Sequence, residues 1–232
     1  MGFVEQIHAD NNYKKAVEYY ESGNIERAFI HINKAIQLVP DKADYYIYKA
    51  FLNARTNNFR GAINDLETSL RHNPDDKSVY FSIGLAYSEI GDYKSAVKSF
   101  DLSIKYYPKK AEAYYLRGVC LAELSDHASA VHDFTTALNL HPKLSKITNY
   151  PTLKFDAYYH RGYSKIKLGD KLGALDDFNS CINIDSKHSL SYYQRALIRI
   201  GLGQLDLGCK DLSSAGELGL KDAYDAIQKY CQ

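Results

Sequence analysis

The sequence lacks an excess of charge of either sign: 29 basic residues stand against 28 acidic ones in 232, a formal net charge of +1. It also lacks any block of five like charges. The usual electrostatic case for nucleic acid or an anionic membrane surface is therefore missing, and neither is expected as a partner. Apolar runs extend only a few residues, far short of the ~18 needed to cross a bilayer, so membrane insertion is not expected. Residues Met1 to His8 hold neither a basic segment nor a long apolar one, and no secretory signal is read there. The expected location is cytoplasmic, or periplasmic or exported only if a signal precedes this sequence. Cysteine is sparse, at positions 120, 181, 209 and 231, with no C-x-x-C spacing. That argues against a zinc site or redox dithiol and for buried thiols in a reducing compartment. With 45% apolar and 25% charged residues, the chain has the composition of a folded protein.

Proline is scarce too, yet four of the five prolines, at 40, 74, 108 and 142, are spaced by 34 residues. Taking each as position 32 of a 34-residue unit places repeat starts at Ala9, Ala43, Lys77 and Ala111. After a ten-residue insertion, 145–154, the pattern resumes at Phe155 and Ser189, giving six units. Position 8 then reads Ala16, Ala50, Gly84, Gly118, Gly162, Ala196, and position 20 reads Ala28, Ala62, Ala96, Ala130, Ala174, Gly208. A period of this length with such a pattern is the mark of a repeat architecture.

The pattern is that of a helical hairpin. Two antiparallel helices approach closely where both present small side chains, which positions 8 and 20 supply. Bulky residues flank that contact, with Tyr46, Tyr80, Tyr114, Tyr158 and Tyr192 at position 4 and Ile32, Leu66, Phe100, Phe134, Phe178 and Leu212 at position 24. Position 15 carries Gly23, Asn57, Gly91, Ser125, Gly169 and Gly203, mostly types that tolerate a left-handed helix end, and marks the turn inside each hairpin. The prolines stop the second helix. Beyond the last unit, Ala223, Ala226, Ile227 and Tyr230 fall at helical intervals, predicting a capping helix over about 221–231.

Small residues at 8 and 20, an aromatic at 4, Gly at 15 and Pro at 32 resemble the tetratricopeptide repeat, over residues 9 to 222 less the insertion. The repeat composition is similar to that of bacterial members. Tyr stands where the family has Trp at position 4, and Asn12 occupies that place in the first repeat. The resemblance implies an all-α fold, a right-handed α-solenoid of six helix-turn-helix repeats with a C-terminal cap, forming a single domain over 1–232. It also implies a concave groove lined by the first helix of each unit. Carried over, the groove residues are Tyr13, Tyr48, Phe51, Phe81, Tyr115, Tyr159, His160, Tyr163 and Tyr193, an apolar and aromatic surface. One family subtype clamps chaperone C-termini through Lys, Asn and Arg. Here Tyr13, Val17, Tyr48, Ser78 and Ser82 occupy those places, so that mechanism is not expected.

No catalytic constellation is visible. His127 and His132 are five apart, a spacing that does not align two metal ligands on one helical face. The glycines in Gly201 to Gly208 fall at repeat positions and lack the ending of a phosphate loop. Arg117, Arg161 and Arg195 at position 7 co-occur with Asp133, Asp177 and Asp211 at position 23, and Lys49 with Asp65, while the first and third repeats lack both. This covariation within one chain predicts an ion pair joining the two helices of a hairpin, anion-binding arginines being the alternative. The insertion either covers a groove edge or extends the second helix of unit four. The chain is thus expected to be a non-enzymatic scaffold, without cofactor or metal, holding a peptide segment or helix of a protein partner. The alternatives are a self-assembling structural protein, dimerising through its end repeats, and a regulatory subunit of a separate enzyme.

Overall fold

In the computed structural model, which describes residues 2–140 and 152–231, the described residues form thirteen α-helices and no strand. The chain divides into two compact units, Met1–Pro108 and Lys109–Gln232. The first holds α1 (Phe3–Glu21), α2 (Ile25–Leu38), α3 (Ala43–Arg55), α4 (Phe59–His72), α5 (Val79–Glu89) and α6 (Tyr93–Tyr106). The second holds α7 (Ala111–Glu123), α8 (His127–Leu140), α9 (Leu153–Lys167), α10 (Lys171–Ile184), α11 (Ser189–Gly201), α12 (Leu205–Glu217) and α13 (Lys221–Tyr230). Within each unit, successive helices pair as antiparallel hairpins, and the second helix of one hairpin packs on the first helix of the next. The fold class is all-α, hairpin repeats of the α-solenoid kind.

Each hairpin turn has one physical cause. Residue 15 sits in the left-handed region at Gly23 (φ 82°), Asn57 (59°), Gly91 (78°), Ser125 (65°), Gly169 (81°) and Gly203 (78°). The next residue closes the first helix by donating its N–H backwards, as Asn24 does to the Tyr19 carbonyl at 2.7 Å. The same residue opens the second helix. Side chains of Asn24, Asn58, Asp92, Asp126 and Asp170 accept from the N–H three residues on, at 2.9 to 3.2 Å, satisfying a donor that the helix start leaves free. The exposed Asp92 carboxyl is held below its usual range by those bonds from Ser95.

Between the helices, the position 8 and 20 residues are buried and the rings and branches at position 24 fill the remaining space. Ile32, Phe100, Phe134, Phe178 and Leu212 are fully buried. A Cβ placed on Gly84 would lie 2.7 Å from the Phe100 ring, and one on Gly208 would meet the Ala196 carbonyl at 3.1 Å, so these close approaches require glycine or displacement. At the N-terminus α1 begins six residues before the repeat start, because the Glu5 carboxylate accepts the Gly2 N–H at 3.1 Å and opens the helix there. Residues 145–151 of the expected insertion lie outside the described residues. Its last residues, Leu153 and Lys154, already belong to α9, with Leu153 fully buried.

The cysteines require a correction. Cys120 and Cys181 are buried free thiols, their pKa values pushed up by desolvation to about 11 and about 12. Cys209 on α12 and Cys231 after α13 are instead joined in a disulfide, with Cα atoms 5.7 Å apart. Their separation of 22 residues forms no motif. Only the packing of the cap on α12 brings them within bonding reach.

Candidate functional site

In the first unit, the aromatic residues of α1 and α3 converge. The Tyr13 ring stacks on Tyr45 at 5.5 Å and packs edge-to-face with Tyr48 at 5.2 Å, and Phe51 lies 4.9 Å from Tyr20 and 5.8 Å from Tyr48. Buried Tyr45 donates its hydroxyl to Asp10 at 2.5 Å, which fixes the rear of the cluster. Tyr48 donates to the Ala16 carbonyl at 3.4 Å, and burial pushes its hydroxyl up to about 12, with Glu21 adding to the effect. Phe81 lies on α5. Its ring packs edge-on against Phe100 at 5.9 Å, in its own hairpin.

Two cavities open on this surface. A recess of about 250 Å³ is lined by Tyr13, Asp44, Ile47, Tyr48 and Phe51. Beside it, sharing Ile47 and Phe51, a cavity of about 470 Å³ runs between α3, α4 and α5, walled by Ala54, Phe59, Leu85 and Ala86, with Glu89 among its lining residues. Ala54 and Phe59 were missed as site residues. The available signal was the step of small residues, Ala50 and Ala54, one helical turn apart, which leaves space facing Ala62 of α4.

In the second unit, most of the expected groove residues are engaged with one another. His160 lies between Tyr115, Phe134 and Tyr159 at centroid distances of 5.8 to 6.0 Å, and Tyr159 also packs on Phe178 and His188. Burial lowers the His160 pKa, against the opposing charges of Asp156 and Glu123, and it favours the neutral ring. Tyr163 is 40% exposed, with Lys167 over its ring at 5.1 Å. Tyr193 lines a cavity of about 360 Å³ between α11 and α13, together with Leu197, Asp222, Asp225, Lys229 and Tyr230.

The arginines at position 7 form forks on the facing aspartates. Arg117 meets Asp133 through Nε and Nη2, both at 2.7 Å. Arg161 meets Asp177 at 3.0 and 2.6 Å, and Arg195 meets Asp211 at 2.8 and 2.7 Å. The third nitrogen reaches the preceding hairpin, Arg161 to Thr135 Oγ1 at 3.0 Å and Arg195 to Asn179 Oδ1 at 2.8 Å. Each guanidinium also lies over the position 4 tyrosine one turn earlier, Tyr114, Tyr158 or Tyr192, at 5.4 to 5.6 Å. Position 11 belongs to the same network: Lys165 reaches Asp177 at 2.9 Å, Arg199 reaches Asp211 at 2.7 Å, and Asn53 donates to Asp65 at 2.7 Å. Lys49 stands 3.6 Å from Asp65, whose pKa burial still raises. In the first repeat, which has Lys15 at position 7 and His31 at position 23, His31 stacks on Tyr19 at 5.1 Å and bonds Asn12 at 2.9 Å.

Among the described residues no group of three or more His, Cys, Asp or Glu side chains is placed to hold a metal ion, and no helix is long and apolar enough to cross a membrane. A family model described as tetratricopeptide repeat matches residues 52–105 and 81–144, and a second of the same description matches 155–188. A comparison with curated proteins returned no match. Among solved structures, the chain is similar to YrrB, described as a TPR protein with an unusual peptide-binding site. The TM-score is 0.71 at 19% identity, over 85% of this chain and 97% of that one. It is also similar to PilF of Pseudomonas aeruginosa (TM-score 0.71, 15% identity, 97% and 98% covered). MamA of Desulfovibrio magneticus gives a TM-score of 0.69 at 15% identity, with 78% and 97% covered. At these identities the likeness is one of fold.

Proposed function

The chain belongs to the tetratricopeptide repeat family, and from that premise we propose that it is a non-catalytic scaffold, binding a peptide segment or helix of a partner protein along its first-helix faces. The observation that carries this reading is the cavity of about 470 Å³ in the first unit, whose walls are almost entirely apolar and which lies next to an aromatic cluster. A cavity of that size accommodates one or two large side chains, and aromatic walls offer contact area at little cost in side-chain entropy. The description of YrrB as peptide-binding supports the same reading by analogy of fold.

The test is a capture from source lysate by the wild type and by a Phe51→Glu, Leu85→Glu variant, checked for folding by circular dichroism. A benzophenone cross-linker at position 85 identifies what touches the groove. A partner cross-linked from position 85 and lost in the variant supports the reading; a partner retained by the folded variant and not cross-linked refutes it.

A second reading, self-association through the end repeat, is favoured by one observation. Phe3, Val4 and Ile7 of α1 are 82%, 62% and 44% exposed, an unusual density of bare apolar surface. A mass that rises with concentration, and ceases to do so in Phe3→Ser, Val4→Ser, Ile7→Ser, supports it.

A further inference from the structure

We propose that the recess lined by Tyr13, Asp44, Tyr48 and Phe51 is a receptor for a basic side chain of the partner segment, arginine by preference, and that the adjoining apolar cavity takes a neighbouring large apolar residue of the same segment. The inference rests on the first-helix face of the first unit being the binding surface.

Three aromatic rings and one carboxylate line this recess. Tyr13 and Tyr48 meet edge to face at an interplanar angle of 72°, with Tyr45 stacked on Tyr13, and both Tyr13 and Tyr48 line the recess. A cation within about 6 Å of such faces is attracted by the ring quadrupoles, more strongly where water is excluded. Asp44 supplies the opposite charge. Its ion pair with Lys42 is long, at 3.8 Å, and both side chains are open to solvent, so a ligand displaces it at little cost. Burial, and after it the Asp44 charge, raise the Tyr13 pKa, which is consistent with the Asp44 carboxylate acting on the ring beside it. An apolar ligand makes no use of Asp44, whereas a guanidinium stacks its plane on a ring and turns its fork to a carboxylate.

The second half of the occupant follows from the shared wall. Ile47 and Phe51 line both the recess and the apolar cavity, so a side chain in one is held within a residue or two of a side chain in the other. With Glu89 among the lining residues of the apolar cavity, the surface matches a segment in which a large apolar residue is set among basic ones.

The test uses a displayed library of random dodecapeptides, selected against the immobilised full chain in three forms: wild type, Asp44→Asn and Leu85→Glu. The wild-type pool should enrich Arg or Lys, several-fold over input, next to a large aliphatic or aromatic residue. Asp44→Asn should keep the apolar enrichment and lose the basic one. A selected arginine peptide should bind Asp44→Asn about tenfold more weakly, and its citrulline analogue should bind the wild type weaker by a similar factor. A wild-type pool enriched in apolar residues without basic ones, or a basic preference unchanged by Asp44→Asn, overturns this proposal and leaves the groove reading standing. A pool with no enrichment at all, or one indifferent to Leu85→Glu, overturns both.

Discussion

Arg161 on α9 grips Asp177 on α10 through Nε and Nη2 while its remaining nitrogen bonds Thr135 of α8, so one side chain joins two hairpins. Asp177 is almost fully buried and also receives Lys165 at 2.9 Å. Removing the acid would leave two cations facing a desolvated space. Asp177→Ala is expected to cost about 3–5 kcal/mol, whereas adding Arg161→Met to it removes one of the two stranded cations, so the double variant should lose less than the sum of the single losses. Urea unfolding of the single and double variants measures the coupling, and additive losses would contradict it.

The close approach at position 8 has its own signature. Gly84→Ala would place a methyl carbon 2.7 Å from the Phe100 ring, and since Phe100 is fully buried it must leave its place. A loss of about 1–3 kcal/mol is expected. Phe100→Leu in the same chain should restore part of it, and thermal melts of the three variants decide the point. Gly91→Ala meets nothing within 4 Å but sits at φ +78°, and should cost about 1 kcal/mol from the left-handed backbone alone.

The disulfide closes a 22-residue separation across α12 and α13. Its removal by Cys209→Ser should weaken docking of the cap by about 2–4 kcal/mol. Amide exchange over 221–231 should rise on reduction of the wild type and match that of Cys209→Ser, with the other helices unchanged. Alkylation of the native, reduced chain should label Cys209 and Cys231 before Cys120 and Cys181, whose raised pKa values keep them protonated. Uniform labelling of all four would contradict this.

Histidines give the chain a pH dependence of definite sign. Burial lowers the folded-state pKa of His160 and His188 below the ordinary value of 6.5. Below that value the unfolded chain binds protons that the folded chain refuses, so stability falls as pH drops through the unfolded value towards the folded one. Above pH 7 the contribution is flat. His160→Phe keeps a ring beside Tyr115 and Phe134 and should flatten the decline between pH 7 and 5. An unchanged slope in urea midpoints would remove His160 as its source.

The hairpins were legible from residue type because their causes are local. Position 15 needs a left-handed backbone, and position 8 needs the absence of bulk against Phe100 or Phe134. Such requirements recur at a fixed interval, and 34-residue periodicity exposes them without any tertiary knowledge. The Arg and Asp of positions 7 and 23 were visible for the same reason, since they vary together within one chain.

What the sequence determined by itself was therefore the repeated unit and its turns, each set by backbone geometry and side-chain volume within a few residues. Only tertiary packing decided that Cys209 meets Cys231, that Lys165 and Arg199 join ion pairs already made, and that Tyr115 and His160 pack on neighbouring rings. It also decided that Ala54 and Phe59, ordinary residues in the repeat, line an apolar cavity of about 470 Å³ between α3, α4 and α5. Proximity between helices and the volume left between them depend on how several side chains share a space, and no single position carries that information.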